Sequence, residues 1–206
     1  MAEPDTPKLY LITPAEIELS RFPDQLAAAL DAHETACLRL ALASHDEDRI
    51  ARAADACREV TLPRDVALVI DNHVMLVERL GLDGVHLTDG TRSVRSARKT
   101  LGPDAIVGAF CGTSRHDGMS AGEAGADYIS FGPAGVTSLG DGAQAEHELF
   151  DWWSQMIEVP VVAEGALDAE RIAALAPVTD FFAIGDEIWA SDDPLAELSR
   201  LAAAMG

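Results

Sequence analysis

Short apolar runs alternate with longer amphipathic stretches along this chain. The short runs fall at 9–12, 37–40, 66–70, 84–87, 106–110, 127–131, 159–163 and 180–184. Most are apolar nearly throughout instead of alternating, as expected of parallel strands covered on both faces. Between them lie helical patterns near 15–31, 44–58, 72–80, 93–101, 116–124, 146–157 and 168–175, and a last one from Asp193 onward. Ser44-His45-Asp46-Glu47 reads as a capping box. Gly102 reads as a glycine just past a helix C-terminus. Asp168 reads as an N-cap, and Asp193-Pro194 as an N-cap followed by a first-turn proline. Strand then helix, eight times over 206 residues, predicts a single (β/α)8 TIM barrel occupying 1–206. The alternative α/β arrangement, an open doubly wound sheet, predicts a glycine-rich G-x-G-x-x-G loop after the first strand; Thr13-Pro14-Ala15 is unlike one.

Composition narrows the classes of function. The chain is 48% hydrophobic and 24% charged, an ordinary globular balance. Fifteen Lys and Arg against 35 Asp and Glu leave a formal charge of −20. A field of that sign repels phosphate backbones and anionic membrane surfaces, so neither nucleic acid nor membrane is expected as a partner. No apolar run is long enough to span a bilayer, and the first residues lack a signal-peptide pattern, so the expected location is cytoplasmic. Cys37, Cys57 and Cys111 are widely spaced and read as reduced thiols. The lysines are Lys8, before the first strand, and Lys99, within a helix, so a Schiff-base lysine at a strand tip is not expected.

In a barrel, chemistry gathers where strands end. The polar residues expected there are Thr13, Arg39, Asp71, Asn72, His73, His86, Thr88, Asp89, Cys111, Arg115, His116, Gly132, Pro133, Gly135, Thr137, Glu164, Gly165, Gly185, Asp186 and Glu187. Several carry two readings. Arg39, in an apolar strand, is either satisfied by a carboxylate inside the barrel or clamps an anion. Asp71, Asn72 and Asp89 either bind a metal through oxygen or cap the helices that follow. His86 is a packed core histidine or an acid–base group. Trp152 and Trp153 are expected in the core and at a subunit interface, which makes a homodimer the expected assembly.

Longer motifs carry a resemblance. Leu9-Tyr10-Leu11-Ile12-Thr13, Gly81-Leu82-Asp83-Gly84-Val85-His86-Leu87, and Gly125-Ala126-Asp127-Tyr128-Ile129 followed by Gly132-Pro133 resemble the first, fourth and sixth strands of the thiamine phosphate synthase and thiazole tautomerase family. The likeness extends through Ala183–Ile188 to Asp192-Asp193-Pro194. The resemblance implies a barrel that joins a pyrimidine methyl diphosphate to a thiazole phosphate with loss of diphosphate. It implies Mg²⁺ on acidic side chains and amides of glycine loops on the thiazole phosphate. On this resemblance Arg39, His86 and Glu164 are candidate catalytic residues. Gly132, Thr137, Gly165, Gly185 and Asp186 are candidate substrate-binding residues, and Asp71 and Asp89 are candidate metal ligands.

The departures from the family pattern are as informative. Its Q-x-R-x-K falls on Cys37-Leu38-Arg39-Leu40-Ala41, keeping only the arginine. Its N-D pair falls on Asp71-Asn72, in inverted order. Its G-Q-x-D falls on Thr88-Asp89-Gly90-Thr91, and its S-x-H on Phe110-Cys111-Gly112. Its T-x-T-K falls on Thr137-Ser138-Leu139-Gly140, and the serine after strand 8 is Asp186. Two diphosphate-gripping lysines are thus neutral and a phosphate-site serine is an acid. A like-charge contact near 4 Å costs on the order of 4 kcal/mol at an effective dielectric of about 20. The expectation is therefore a synthase-like barrel with a degenerate diphosphate site and weak or lost synthase activity. Two alternatives stay open. One is a tautomerase-type enzyme using His86, Glu164 or Asp186 for proton transfer; the other is a non-catalytic barrel binding a ligand or a protein. The expected ligand is a small phosphorylated or heterocyclic molecule.

Overall fold

The computed structural model describes residues 6–136 and 143–206. Eight parallel strands close on themselves: β1 (Lys8–Ile12), β2 (Thr35–Leu40), β3 (Ala67–Asp71), β4 (Gly84–Leu87), β5 (Ile106–Phe110), β6 (Tyr128–Phe131), β7 (Val161–Glu164) and β8 (Phe181–Ile184), each beside the next, with β8 paired to β1. The helices between them are α1 (Phe22–Ala32), α2 (Glu47–Thr61), α3 (Val74–Leu80), α4 (Val94–Leu101), α5 (Arg115–Ala124), α6 (His147–Met156) and α7 (Ala169–Leu175). After β8 come α8 (Asp186–Trp189) and α9 (Pro194–Ala202). This is the (β/α)8 barrel that the apolar runs predict. Among the described residues no helix is long and apolar enough to cross a membrane.

The near-continuous apolar strands follow from two cores. Outward-facing residues such as Leu11, Leu38, Leu68, Val85 and Ile129 pack under the helices together with Leu26, Ile50, Phe150 and Trp153. Inward-facing Tyr10, Cys37, Val69, Tyr128, Val162 and Ala183 fill the barrel. Alternation along each strand then places Arg39, Asp71 and Glu164, two residues beyond Cys37, Val69 and Val162, on the inner face near the C-terminal mouth. Trp153 is buried, its indole N–H donating to the Val159 carbonyl at 2.8 Å; Trp152 is half-buried with the Arg115 guanidinium 4.8 Å from its ring.

Several expected boundaries move. Helix α1 begins at Phe22, not near residue 15, because Pro23 sits in its first turn and a proline is tolerated there but not further inside. Ser44 does not cap α2. Its hydroxyl accepts from the Asp46 N–H, and Asp46 is the cap, accepting from Asp48 and Arg49. Strand β7 starts at Val161 because Pro160 has no N–H to give the ladder. The single-turn helix α8 has no counterpart among the expected elements. Asp168 and Asp193 cap α7 and α9 as expected.

At the opposite, N-terminal end of the barrel, one device is used three times. Asp83, just before β4, donates its N–H to the Leu68 carbonyl and accepts the Leu68 N–H on its carboxylate. Asp127 does the same with Val107, and Asp180 with Val161. Each aspartate extends the ladder by one pair and clamps an even-numbered strand to the odd-numbered strand before it. Two of the family-like motifs, G-L-D-G and G-A-D-Y, therefore carry a residue that holds the frame at the end away from the mouth. Replacing Asp83 by Ala should lower unfolding free energy by about 1–2 kcal/mol, the effect of orphaning a partly buried N–H, and leave ligand affinity at the mouth unaltered. Urea melts alongside ligand titration check both halves.

Candidate active site

Arg39 dominates the inner mouth. It projects from β2 and is only 7% exposed. Its Nη1 donates to Glu164 Oε2 on β7 at 2.9 Å and to His86 Nε2 on β4 at 2.8 Å. Its Nε lies 3.4 Å from Asp71 Oδ1 on β3, an ion pair without hydrogen-bond geometry, and its guanidinium carbon lies 5.9 Å from the Tyr10 ring centroid. Burial alone would ease the proton off this guanidinium, but Glu164, Tyr10 and Asp71 outweigh it and raise its pKa. Arg39 is a permanent buried cation.

That cation fixes a tautomer. A guanidinium has only donors, so His86 Nε2 must accept and Nδ1 must carry the hydrogen. Nδ1 then donates to the Tyr128 hydroxyl at 2.9 Å, which bonds the Tyr10 hydroxyl at 2.7 Å. Burial, with Arg39 nearby, pushes the His86 pKa well below its ordinary value, so the ring stays neutral. Burial also raises both tyrosines well above theirs. The result is a polar chain crossing the barrel from β2 to β4, β6 and β1. Asp71 differs: burial, opposed by Arg39 and assisted by Glu164, raises its carboxyl to about 6.

The structure thus brings together Arg39, His86, Glu164 and Asp71. Of the two readings of Arg39, it places carboxylates beside it inside the barrel. Asp89 and Asp186 are exposed at the rim, apart from this cluster. Asp89 accepts the Ser93 hydroxyl at 2.6 Å. Neither Asp71 nor Asp89 caps a helix, which corrects that expectation: α3 starts after His73 and α4 after Ser93, both without a side-chain cap. Asn72 instead bridges to Thr88, accepting its N–H at 2.9 Å. Cys111 is buried, and its thiol donates to the Ala109 carbonyl at 3.6 Å. Thr137 lies outside the described residues.

Two of the candidate glycines have a packing reason. A Cβ on Gly132 would stand 2.5 Å from the Glu164 carbonyl oxygen, and Gly165, at φ +87°, lies against Pro133. The β6 and β7 loops touch there: Ala134 N–H donates to Glu164 O at 2.9 Å and Gly135 N–H to Gly165 O at 3.0 Å. Gly185 gives its N–H to Glu187 Oε2 at 2.9 Å. Sequence reasoning passed over Tyr10 and Tyr128 as site residues, and gave Glu187 no role. Inward parity on their strands marks the tyrosines. Glu187 has only its place beside Gly185-Asp186 as a signal.

The sequence matches the family described as thiamine monophosphate synthase over residues 9–186. The chain belongs to the thiamine monophosphate synthase family. Among its relatives, the thiamine-phosphate synthase of Rhodospirillum centenum is 40% identical over 184 residues, covering 88% of this chain and 89% of the relative. That of Erythrobacter litoralis is 36% identical over 200 residues, covering 94% and 93%. The solved thiamine phosphate pyrophosphorylase of Pyrococcus furiosus superposes with a TM-score of 0.82 at 22% identity, over 98% of this chain and 96% of that one, a likeness of fold.

The Asp71 carboxyl gives this family member a pH signature. Its folded pKa of about 6 lies above the ordinary 3.8, so the folded state binds the extra proton. The group's favourable contribution is complete below about pH 4 and disappears as pH rises through 6. Between pH 4 and 7 wild-type stability should fall relative to Asp71→Asn by on the order of 3 kcal/mol. Denaturant melts across that range test it; parallel profiles would reject the raised pKa.

Proposed function

We propose that this barrel retains the family's ligand cleft while its thiamine phosphate synthase activity is weak or lost. The observation that carries this reading is the commitment of Arg39. The one cation kept from the family's Q-x-R-x-K sits inside the barrel, paired with Glu164 and Asp71 and hydrogen-bonded to His86. A departing diphosphate would have to share the Arg39 guanidinium with two carboxylates that already offset its charge, and drawing the guanidinium away from them would strand buried charge, typically at 3–5 kcal/mol. The two motif lysines, falling on Ala41 and Gly140, are absent, so no other family cation takes over. The relatives named thiamine-phosphate synthase support descent and ligand class: a small heterocyclic molecule at the mouth.

Magnesium fits poorly on the described residues. Asp71 faces Arg39, Asp89 is engaged by Ser93, and no group of three or more His, Cys, Asp or Glu side chains is placed to hold a metal. A second reading, proton transfer of the tautomerase type, is favoured by Asp71, whose carboxyl near 6 can both take and give a proton at neutral pH. Free, buried Cys37, Cys57 and Cys111 suit the reducing cytoplasm assigned in this reading.

Supplying the protein with the pyrimidine methyl diphosphate, the thiazole phosphate and Mg²⁺ should give turnover far below the ordinary enzyme range. Turnover of roughly 1 s⁻¹ would reject the loss of activity. Glu164→Gln, which frees part of the guanidinium's charge, should raise affinity for diphosphate at least tenfold by calorimetry; unchanged affinity would show that Arg39 is not withheld by its partners.

A further inference from the structure

A cleft of about 480 Å³ opens on the outer side of the barrel wall, between the segment that follows β1 and the start of α2. Its volume is that of a small-molecule site. Its two walls are tied together: the Ala43 N–H donates to the Ala15 carbonyl at 3.0 Å, and the Ala41 N–H to the Thr13 hydroxyl at 3.0 Å. Arg49 and Arg52, one turn apart on α2, line the cleft, while Ile50, Ala54 and Cys57 of the same helix face the core. Both arginines are exposed, and among the described residues neither makes an ion pair. The chain does not lack acids to pair with them. Asp48, four positions before Arg52, is spaced for a helical ion pair and makes none. Arg58 further along the helix holds Asp55, and Glu47 is taken by Arg79. Below the guanidiniums the cleft is apolar. Ile17 and Leu42 are partly buried against the outer core, and Leu19, 42% exposed, stands on the opposite wall.

We infer that this cleft binds a phosphate monoester carried on a small apolar or aromatic body. Two guanidinium forks match the oxygens and the double charge of a phosphate, whereas a carboxylate would match only one of them. The lining acids oppose this weakly. Glu18 accepts the Ser20 hydroxyl at 2.9 Å and pairs with Arg21 at 3.7 Å, which leaves Glu16 as the opposing carboxylate. Ile17, Leu19 and Leu42 receive the body of the ligand. The cleft shares no residue with the Arg39 cluster, so it stands whether or not the mouth has kept its synthase activity. Its walls are the two segments that leave β1 and β2 at the mouth, and a ligand between them braces both.

The test titrates phenyl phosphate into the full-length protein in phosphate-free, low-salt buffer and reads affinity from the amide NMR shifts of residues 15–19 and 49–53. Saturable shifts there at submillimolar concentration are expected. The Arg49→Gln/Arg52→Gln double variant should lose about tenfold or more in that affinity; both side chains are exposed, and circular dichroism checks that the variant folds. Leu19→Ala should weaken phenyl phosphate but leave inorganic phosphate unchanged. Benzoate and inorganic phosphate should each bind the wild-type cleft about tenfold more weakly than phenyl phosphate. Shifts confined to the strand-end loops, or an affinity that the double variant keeps, overturn the site. Benzoate or inorganic phosphate binding as well as phenyl phosphate overturns the ligand class. No outcome involves diphosphate or turnover, so failure here leaves the reading of the mouth to its own assay.

Discussion

A guanidinium cannot shed its proton at any pH the fold survives, so Arg39 places a full positive charge within the barrel wall. Everything polar around it answers that charge. Glu164 and Asp71 neutralise it from β7 and β3, His86 is held in one neutral tautomer, and two tyrosines continue the chain of hydrogen bonds to β1 and β6. Desolvating an ion without partners is prohibitive, while a partnered network is tolerable and rigid; within this one, Arg39 Nε and Asp71 Oδ1 meet by charge alone. Each partner lies on a different strand, so the network also fixes the relative positions of strands that share no ladder.

The two ends of the barrel do different work. At the N-terminal end three aspartates repeat one clamp and say nothing about a ligand. At the mouth Arg39 is engaged by Glu164, Asp71 and His86. The frame can be kept whatever the rim becomes, because the clamps and the outer core contribute stability without touching the mouth.

The strands could be read from the chain because both of their faces are covered, which makes each run apolar almost throughout. The caps at Asp168 and Asp193 were equally readable, since a side chain on an adjacent amide is local chemistry. What eluded reading was set by distance. The start of α1 depends on Pro23 prevailing over an amphipathic pattern that extends further back. Asp71 looked like a cap or a metal ligand until the closed barrel brought it to Arg39. Tyr10 and Tyr128 meet across 118 positions, and no spacing rule joins them. Glu187 stands among the polar residues expected at the mouth, but its role is not legible there, because a carboxylate reaching two loops at once leaves no pattern in a single segment.

The pairing of Arg39 with Glu164 joins residues 125 positions apart. During folding, the cation in the second strand has no counter-charge from the seventh until most of the sheet has assembled. Until then only Asp71 of the adjacent third strand faces it, a pairing without hydrogen-bond geometry, so drying the lumen costs least after the seventh strand has brought Glu164.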